Sequence, residues 1–221
     1  MTLGVEMASG KQRFAALLAG RGSAIYDRPL LETKDWIVAP TLGAIVPGWL
    51  LIIPRTPAVN CREWSRKLGL SPFTAVREVV DHLGLSMDEI IWFEHGPASM
   101  GTAVGCGLDY AHLHLIIRPQ FNFADFVARA RGEADLIWNE CGAIDAYALA
   151  GDQSYYIAGS DDVAVVATDV EAAGSQFFRR VAASLTGNGE AWNYRHHPHT
   201  ENIEGTIEMF RRLEGAGRRG C

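Results

Sequence analysis

Asp109-Tyr110-Ala111-His112-Leu113-His114-Leu115-Ile116-Ile117-Arg118-Pro119 alternates for several residues and then turns wholly apolar. A strand reads this way when one face serves a site and the other a core. Side chains on a strand alternate, so Tyr110, His112 and His114 share one face, and Ala111, Leu113 and Leu115 point into the core. At the rise of a strand the two histidines stand about 7 Å apart at the backbone, close enough to grip one small anion. Immediately upstream, residues 96–107 are rich in glycine, with Gly101 and Gly105 between Gly96 and Gly107. Glycine lets backbone N–H groups turn toward a phosphate without a side chain in the way.

Working outward toward the N-terminus, residues 88–93 read as a buried strand feeding the glycine run. Ser71-Pro72 reads as an N-cap with proline at the first helical position, opening a helix over 73–83 whose stripe is Val76, Val79, Val80 and Leu83 and which Gly84 ends. Helical material begins at Asn60. Residues 49–53 form a near-continuous apolar strand stopped by Pro54, and residues 36–39 and 24–31 read as the opening strands. Phe14-Ala15-Ala16-Leu17-Leu18 marks one short helix closed by Gly20 and Gly22.

Outward in the other direction, residues 121–131 read as an amphipathic helix with Phe121, Phe123, Phe126 and Val127 inward. Tyr155-Tyr156-Ile157-Ala158 and Val163-Ala164-Val165-Val166 flank Gly159-Ser160-Asp161-Asp162, a hairpin signal. Residues 176–185 and 201–213 read as helices, residues 186–199 as polar and irregular, and residues 214–221 as a frayed basic tail. The chain divides in this reading into a core at 1–119 and an extension at 120–221 packed on it. The fold class is α+β, an antiparallel sheet flanked by helices, with an additional α/β extension.

The 221-residue chain is 48% hydrophobic and 21% charged, which is ordinary for a globular protein. Its formal net charge of −6 argues against a nucleic-acid polymer as partner. A small nucleotide remains compatible, because a local site can be positive on an acidic protein. Cys61, Cys106, Cys141 and Cys221 have no paired short spacing, so they read as reduced thiols rather than a zinc knuckle or disulfide scaffold. No run reaches membrane-spanning length, and the N-terminus lacks a basic segment followed by an apolar core. The expectation is a cytoplasmic protein with no membrane partner.

The motif strand resembles the histidine-triad signature His-φ-His-φ-His-φ-φ, where φ is apolar. His112 matches the second histidine and His114 the third, while Tyr110 stands at the first. Val46-Pro47-Gly48-Trp49-Leu50-Leu51-Ile52-Ile53-Pro54-Arg55 resembles that family's Pro-Gly-His strand, with Trp49 replacing histidine, and Phe93-Glu94-His95-Gly96 resembles the strand and turn of its larger members. The resemblance covers residues 25–119. It implies nucleotide hydrolysis or nucleotidyl transfer at a nucleoside phosphate or dinucleoside polyphosphate. His112 would attack phosphorus to form a covalent nucleotidyl-histidine, and His114 would donate to a phosphate oxygen. The backbone N–H groups of Gly105, Cys106 and Gly107 would add donors. The resemblance also implies a homodimer, and neither a metal nor another cofactor is required.

Other readings of the same residues stay open. His95 reaches the phosphate or serves the turn. Gln176 and Arg179 share a helical face that closes over the nucleotide or faces solvent. A metal set of His95, His112 and His114 is the alternative to phosphate chemistry, although the glutamate a cupin-like barrel wants after the second histidine is missing from residues 115–119. Tyr110 is a weaker acid than imidazolium, so a substrate whose leaving group departs as an anion is favoured over a phosphoramidate. It also leaves open a degenerate protein that binds a nucleotide or phosphorylated metabolite without turnover.

Overall fold

The structure is a computed structural model and describes residues 10–105 and 110–217. Within them the chain forms an open, fully antiparallel sheet of eight strands with seven α-helices on its two faces. The strands are β1 (Leu31–Glu32), β2 (Trp36–Pro40), β3 (Trp49–Pro54), β4 (Ile90–Gly96), β5 (Leu113–Ile117), β6 (Trp138–Gly142), β7 (Tyr155–Ser160) and β8 (Val163–Thr168). The helices are α1 (Gly10–Leu18), α2 (Cys61–Leu68), α3 (Pro72–His82), α4 (Phe123–Glu133), α5 (Ala146–Leu149), α6 (Phe177–Leu185) and α7 (Thr200–Gly217).

The strand order is β1-β2-β3-β5-β4-β7-β8-β6. β4 lies between β5 and β7, so residues on both sides of Pro119 build one continuous sheet. The register places His114 opposite Leu51 on β3 and opposite Phe93 on β4, while His95 faces Tyr156 on β7. Helices cover both faces, which is why the inner strands read as apolar runs rather than clean alternations. One face buries Leu50, Ile52, Trp92, Leu113, Leu115 and Ile157 against Phe73, Val76 and Val80 of α3 and Phe210 of α7. The other buries Trp49, Phe93, Ile116 and Tyr156 against Phe126 of α4, Phe177 and Phe178 of α6, and Ile203 of α7. Toward the β2 end, Phe14 and Leu17 of α1 pack on Ile37, Ala39, Leu51, Ile53 and Tyr110. A large apolar side chain contributes about 1.5–3 kcal/mol when fully buried. The polar groups that β4 and β5 carry inward lose water without that return, and need partners of their own.

Several elements follow local chemistry closely. The Asn60 side chain accepts from the Glu63 N–H at 2.8 Å to start α2, and Ser71 accepts from the Phe73 N–H at 3.3 Å to start α3, with Pro72 at the first position. Ser160 pairs with Val163 across a two-residue turn in which Asp161 takes a positive φ of 52°. Gly48 takes a φ of +85° where the chain turns into β3, and a Cβ there would lie 2.5 Å from the Ile117 carbonyl oxygen.

Other expectations are corrected. Residues 24–31 are not a strand: Ile25–Asp27 is a 3-10 turn, and only Leu31–Glu32 pairs with β2. The Asp27 carboxylate is held by Arg13 at 2.9 Å, and Pro29 has no N–H to give a ladder. β4 begins at Ile90 rather than 88, because Ser86 and Glu89 close a capping box around Met87–Glu89. β5 is shorter than the motif: the Ala111 N–H goes to the Ala58 carbonyl at 2.7 Å, so Tyr110 and His112 precede the ladder. α7 runs on to Gly217, through part of the expected frayed tail. β6 was not anticipated; its residues are intermediate or exposed, as suits an edge strand.

Candidate active site

Three imidazoles gather on the α6 side of the sheet. His114 comes from β5, His112 from the segment entering it, and His95 from β4. The His112 and His114 ring centres are 5.0 Å apart, and those of His95 and His114 are 6.0 Å apart. Their exposures are 7% for His112, 6% for His114 and 4% for His95, so each ring has lost nearly all its water. Phe93 stacks on His114 at 4.6 Å with an interplanar angle of 12°.

Each ring has its tautomer fixed by a different partner. His112 Nδ1 lies 2.8 Å from the Tyr110 carbonyl oxygen, which can only accept; Nδ1 therefore carries the proton and Nε2 keeps its lone pair. His114 Nδ1 accepts from the Trp49 indole N–H at 3.0 Å, so its proton is on Nε2. His95 Nε2 accepts from the Phe178 backbone N–H at 3.0 Å, in the first turn of α6, so its proton is on Nδ1. The buried His95 Nδ1 has no hydrogen-bond partner among the described residues. The cluster thus offers one nitrogen lone pair and two N–H donors.

All three rings are neutral at physiological pH. Burial lowers His112 to about 4, with Arg13 acting in the same direction and the Tyr110 carbonyl against it. Burial also holds His114 well below its ordinary value, reinforced by the neighbouring histidines and by Arg179 and Arg13. His95 moves the same way, through burial first and then through His112, Arg180 and Arg179. A neutral imidazole is the reactive form of a histidine nucleophile.

Tyr110, expected to take part through its side chain, gives the cluster its main-chain carbonyl. Its hydroxyl donates to the Pro54 carbonyl at 3.0 Å, at the end of β3. α1 roofs this end of the cluster. The Phe14 ring lies 5.4 Å from that of His112 and 5.8 Å from that of Tyr110, and Phe14 is fully buried.

Arg179 and Gln176 stand behind the cluster. The buried Arg179 guanidinium donates to the Trp192 carbonyl at 2.9 Å and to the Gly43 carbonyl, and lies 5.2 Å over the ring of Trp49. It therefore supports the indole that supports His114. Gln176 accepts from the Tyr194 N–H at 3.3 Å and reaches Asn193 at 3.4 Å, tying down the irregular stretch after α6. Gly105 approaches Pro97 so closely that a Cβ would lie 2.9 Å from its Cγ. Cys106 and Gly107 lie outside the described residues.

Sequence reading missed Trp49 as the partner of His114, the Phe178 N–H as the partner of His95, and α1 as the roof. The replacement of histidine by tryptophan at Trp49 was the available signal for the first. Nothing local signals a contact such as that of His95 with Phe178, 83 residues away in the chain.

The opposite face of β4 holds a second buried polar group. Glu94 is 1% exposed and accepts from the Cys61 N–H at 2.7 Å and the Tyr155 hydroxyl at 2.9 Å. Burial pushes its carboxyl up to about 7, against the pull of those two donors. Among the described residues no group of three or more His, Cys, Asp or Glu side chains is arranged to hold a metal ion. Nor, among them, is any helix long and apolar enough to cross a membrane. No protein-family model matches the chain, and no curated protein matches it.

Proposed function

We propose that this protein is a histidine-triad-like nucleotide hydrolase or nucleotidyl transferase that works through a covalent nucleotidyl-histidine at His112. The observation that carries the reading is the tautomer of His112. Its Nδ1–H is anchored on the Tyr110 carbonyl, which leaves the Nε2 lone pair available beside two fixed N–H donors. In the first step Nε2 forms a bond to the phosphorus attached to the nucleoside, and the bond from phosphorus to the leaving oxygen breaks with its electron pair on that oxygen. The Nε2–H of His114 and the Nδ1–H of His95 donate to the oxygens that gain charge. In the second step water or another acceptor hydroxyl attacks phosphorus, and the phosphorus–nitrogen bond breaks with its electron pair returning to Nε2. The proton of the attacking group passes to solvent, and His112 is again neutral with Nδ1–H on the Tyr110 carbonyl. The short spacing of His112 and His114 suits one phosphoryl group held between them.

The deep burial of all three rings, with α1 packed over His112, supports the second reading, a protein that binds a nucleotide or phosphorylated metabolite without turnover. One experiment separates the two. The full chain is incubated with a panel of nucleotides labelled at the α-phosphate, then quenched in base. Acid-labile, base-stable label that disappears in His112→Ala supports the covalent reading. Saturable binding with no label on His112 supports the second, and label unaffected by His112→Ala removes His112 from the chemistry.

A further inference from the structure

The three imidazoles are neutral, yet a nucleotide brings at least one negative charge among them. A buried anion needs a counter-charge, and neutral N–H donors supply only part of it. Three guanidinium groups act on the rings: Arg13 on His112 and His114, Arg179 on His95 and His114, and Arg180 on His95. Two of them are built into the frame around α6. Arg180 is held by Glu133 at 2.8 Å and by the carbonyls of Ser175 and Ala173, and Arg179 by the carbonyls of Gly43 and Trp192.

Arg13 is placed differently. It sits on α1, next to the Phe14 ring that touches His112, and its guanidinium lies 5.3 Å over that ring. Among the described residues its charged partner is the Asp27 carboxylate, at 2.9 Å, with the Tyr26 carbonyl at 3.2 Å. Side-chain exposures are 12% for Arg13 and 13% for Asp27, so the pair is largely withdrawn from water. Arg13 also lies in the N-terminal half of α1, which has no acidic residue in its first turn, and there the helix dipole disfavours a cation and favours an anion. A phosphate oxygen accepts from a guanidinium N–H as a carboxylate oxygen does, so it can take the place of the Asp27 oxygen that Arg13 Nε reaches.

We propose that Arg13 is the substrate-binding cation of this site, exchanging the Asp27 carboxylate for a phosphate of the ligand. Asp27 is then the placeholder that keeps Arg13 paired when no ligand is present. The proposal rests on the phosphate chemistry read at the histidines, and extends it to an element that the motif does not include.

The test is calorimetric titration of inorganic pyrophosphate and of ATP into the full chain as wild type, Arg13→Ala, Arg13→Lys and Asp27→Asn. Arg13→Ala should weaken pyrophosphate binding by about tenfold or more, and Arg13→Lys should recover part of the loss. Asp27→Asn should bind pyrophosphate at least as tightly as wild type, because the competing charge is gone. If the pair served only to anchor α1, Arg13→Ala and Asp27→Asn would weaken binding together, and that result overturns the proposal. So does a wild type that binds no pyrophosphate, or an Arg13→Ala that binds it unchanged. Arg13-dependent pyrophosphate binding without label on His112 would leave the assignment of Arg13 standing and remove the covalent chemistry instead.

Discussion

The indole N–H of Trp49 donates to Nδ1 of His114 across 3.0 Å, and in doing so decides which nitrogen of that imidazole is a donor. The tryptophan thus sets the hydrogen-bonding role of a ring in the neighbouring strand. Trp49→Phe keeps an aromatic ring in the core and removes the N–H. It should destabilise the protein by about 2–3 kcal/mol, from the lost bond and the smaller ring. It should also lower the rate of His112 labelling by about tenfold, because His114 no longer holds one tautomer. Long-range proton–nitrogen spectra check the cause: the wild-type Nε2–H pattern of His114 should become mixed while His112 keeps its Nδ1–H pattern. An unchanged His114 pattern would count against the assignment.

Tyr110→Phe separates the two parts of Tyr110. The carbonyl that orients His112 stays, while the hydroxyl bond to Pro54 is lost. The expected result is a stability loss of about 1 kcal/mol in urea titrations, with labelling of His112 within about twofold of wild type. The ratio of rates on a dinucleoside polyphosphate and a nucleoside phosphoramidate should not move. A selective loss on the phosphoramidate would show that the hydroxyl serves the leaving group.

The neutral histidines predict an acid-sensitive fold. In the unfolded chain His112 takes up a proton near its ordinary 6.5, whereas in the folded protein it resists until about 4. Below 6.5 the unfolded state therefore binds more protons, and stability falls as pH drops from 6.5 toward 4. The limiting slope is about 1.4 kcal/mol per pH unit for this one residue. His95 and His114 shift in the same direction and add to it. Urea midpoints at half-unit steps from pH 7.5 to 4.5 measure the slope. Labelling of His112 should stay flat down to about pH 5 wherever the protein remains folded, since Nε2 keeps its lone pair there. A loss of labelling centred near pH 6.5 with the fold intact would contradict this assignment.

Glu94 titrates with the opposite sign. Its folded value of about 7 lies above the ordinary 4.5. The stability contributed by its proton is full below 4.5 and is lost as pH rises through about 7, at up to about 1.4 kcal/mol per unit. Glu94→Gln keeps an oxygen for the Cys61 N–H and cannot ionise. The variant should therefore compare least favourably with wild type near pH 5 and improve relative to it by pH 8. Parallel stability curves for the two proteins would show that Glu94 is not protonated in the fold.

The parts of the molecule legible in the sequence are those whose partners are near in the chain or whose environment is uniform. Ser71-Pro72, the Asp161-Asp162 turn and the apolar runs of β3 and β5 belong here, because capping, turn chemistry and burial on both faces leave local marks. His112 and His114 were legible as a pair through their spacing. β6 was hidden because an edge strand with Asn139 and Glu140 outward carries no apolar periodicity. Residues 24–31 carried strand-forming side chains, but the Arg13–Asp27 pair across the chain took precedence over local preference. The contribution of His95 depends on α6 arriving from the far end of the sequence, and no spacing rule encodes that.

β4 carries Glu94 to one face of the sheet and His95 to the other, and this pair guards the register of the sheet. Sliding β4 by one residue against β5 and β7 would carry a carboxyl in among the imidazoles and an imidazole in among Cys61, Tyr147 and Tyr155. Neither group would find the donors or acceptors it has now, and each would be stranded away from water. Gly96 adds a steric stop: a Cβ at that position would sit 2.0 Å from Cζ of Tyr155, so no residue with a side chain can slip into its slot. A misaligned sheet is thus a poor resting place for the folding chain. The two polar residues select against it at the centre of the sheet, where apolar side chains alone would accept either alignment.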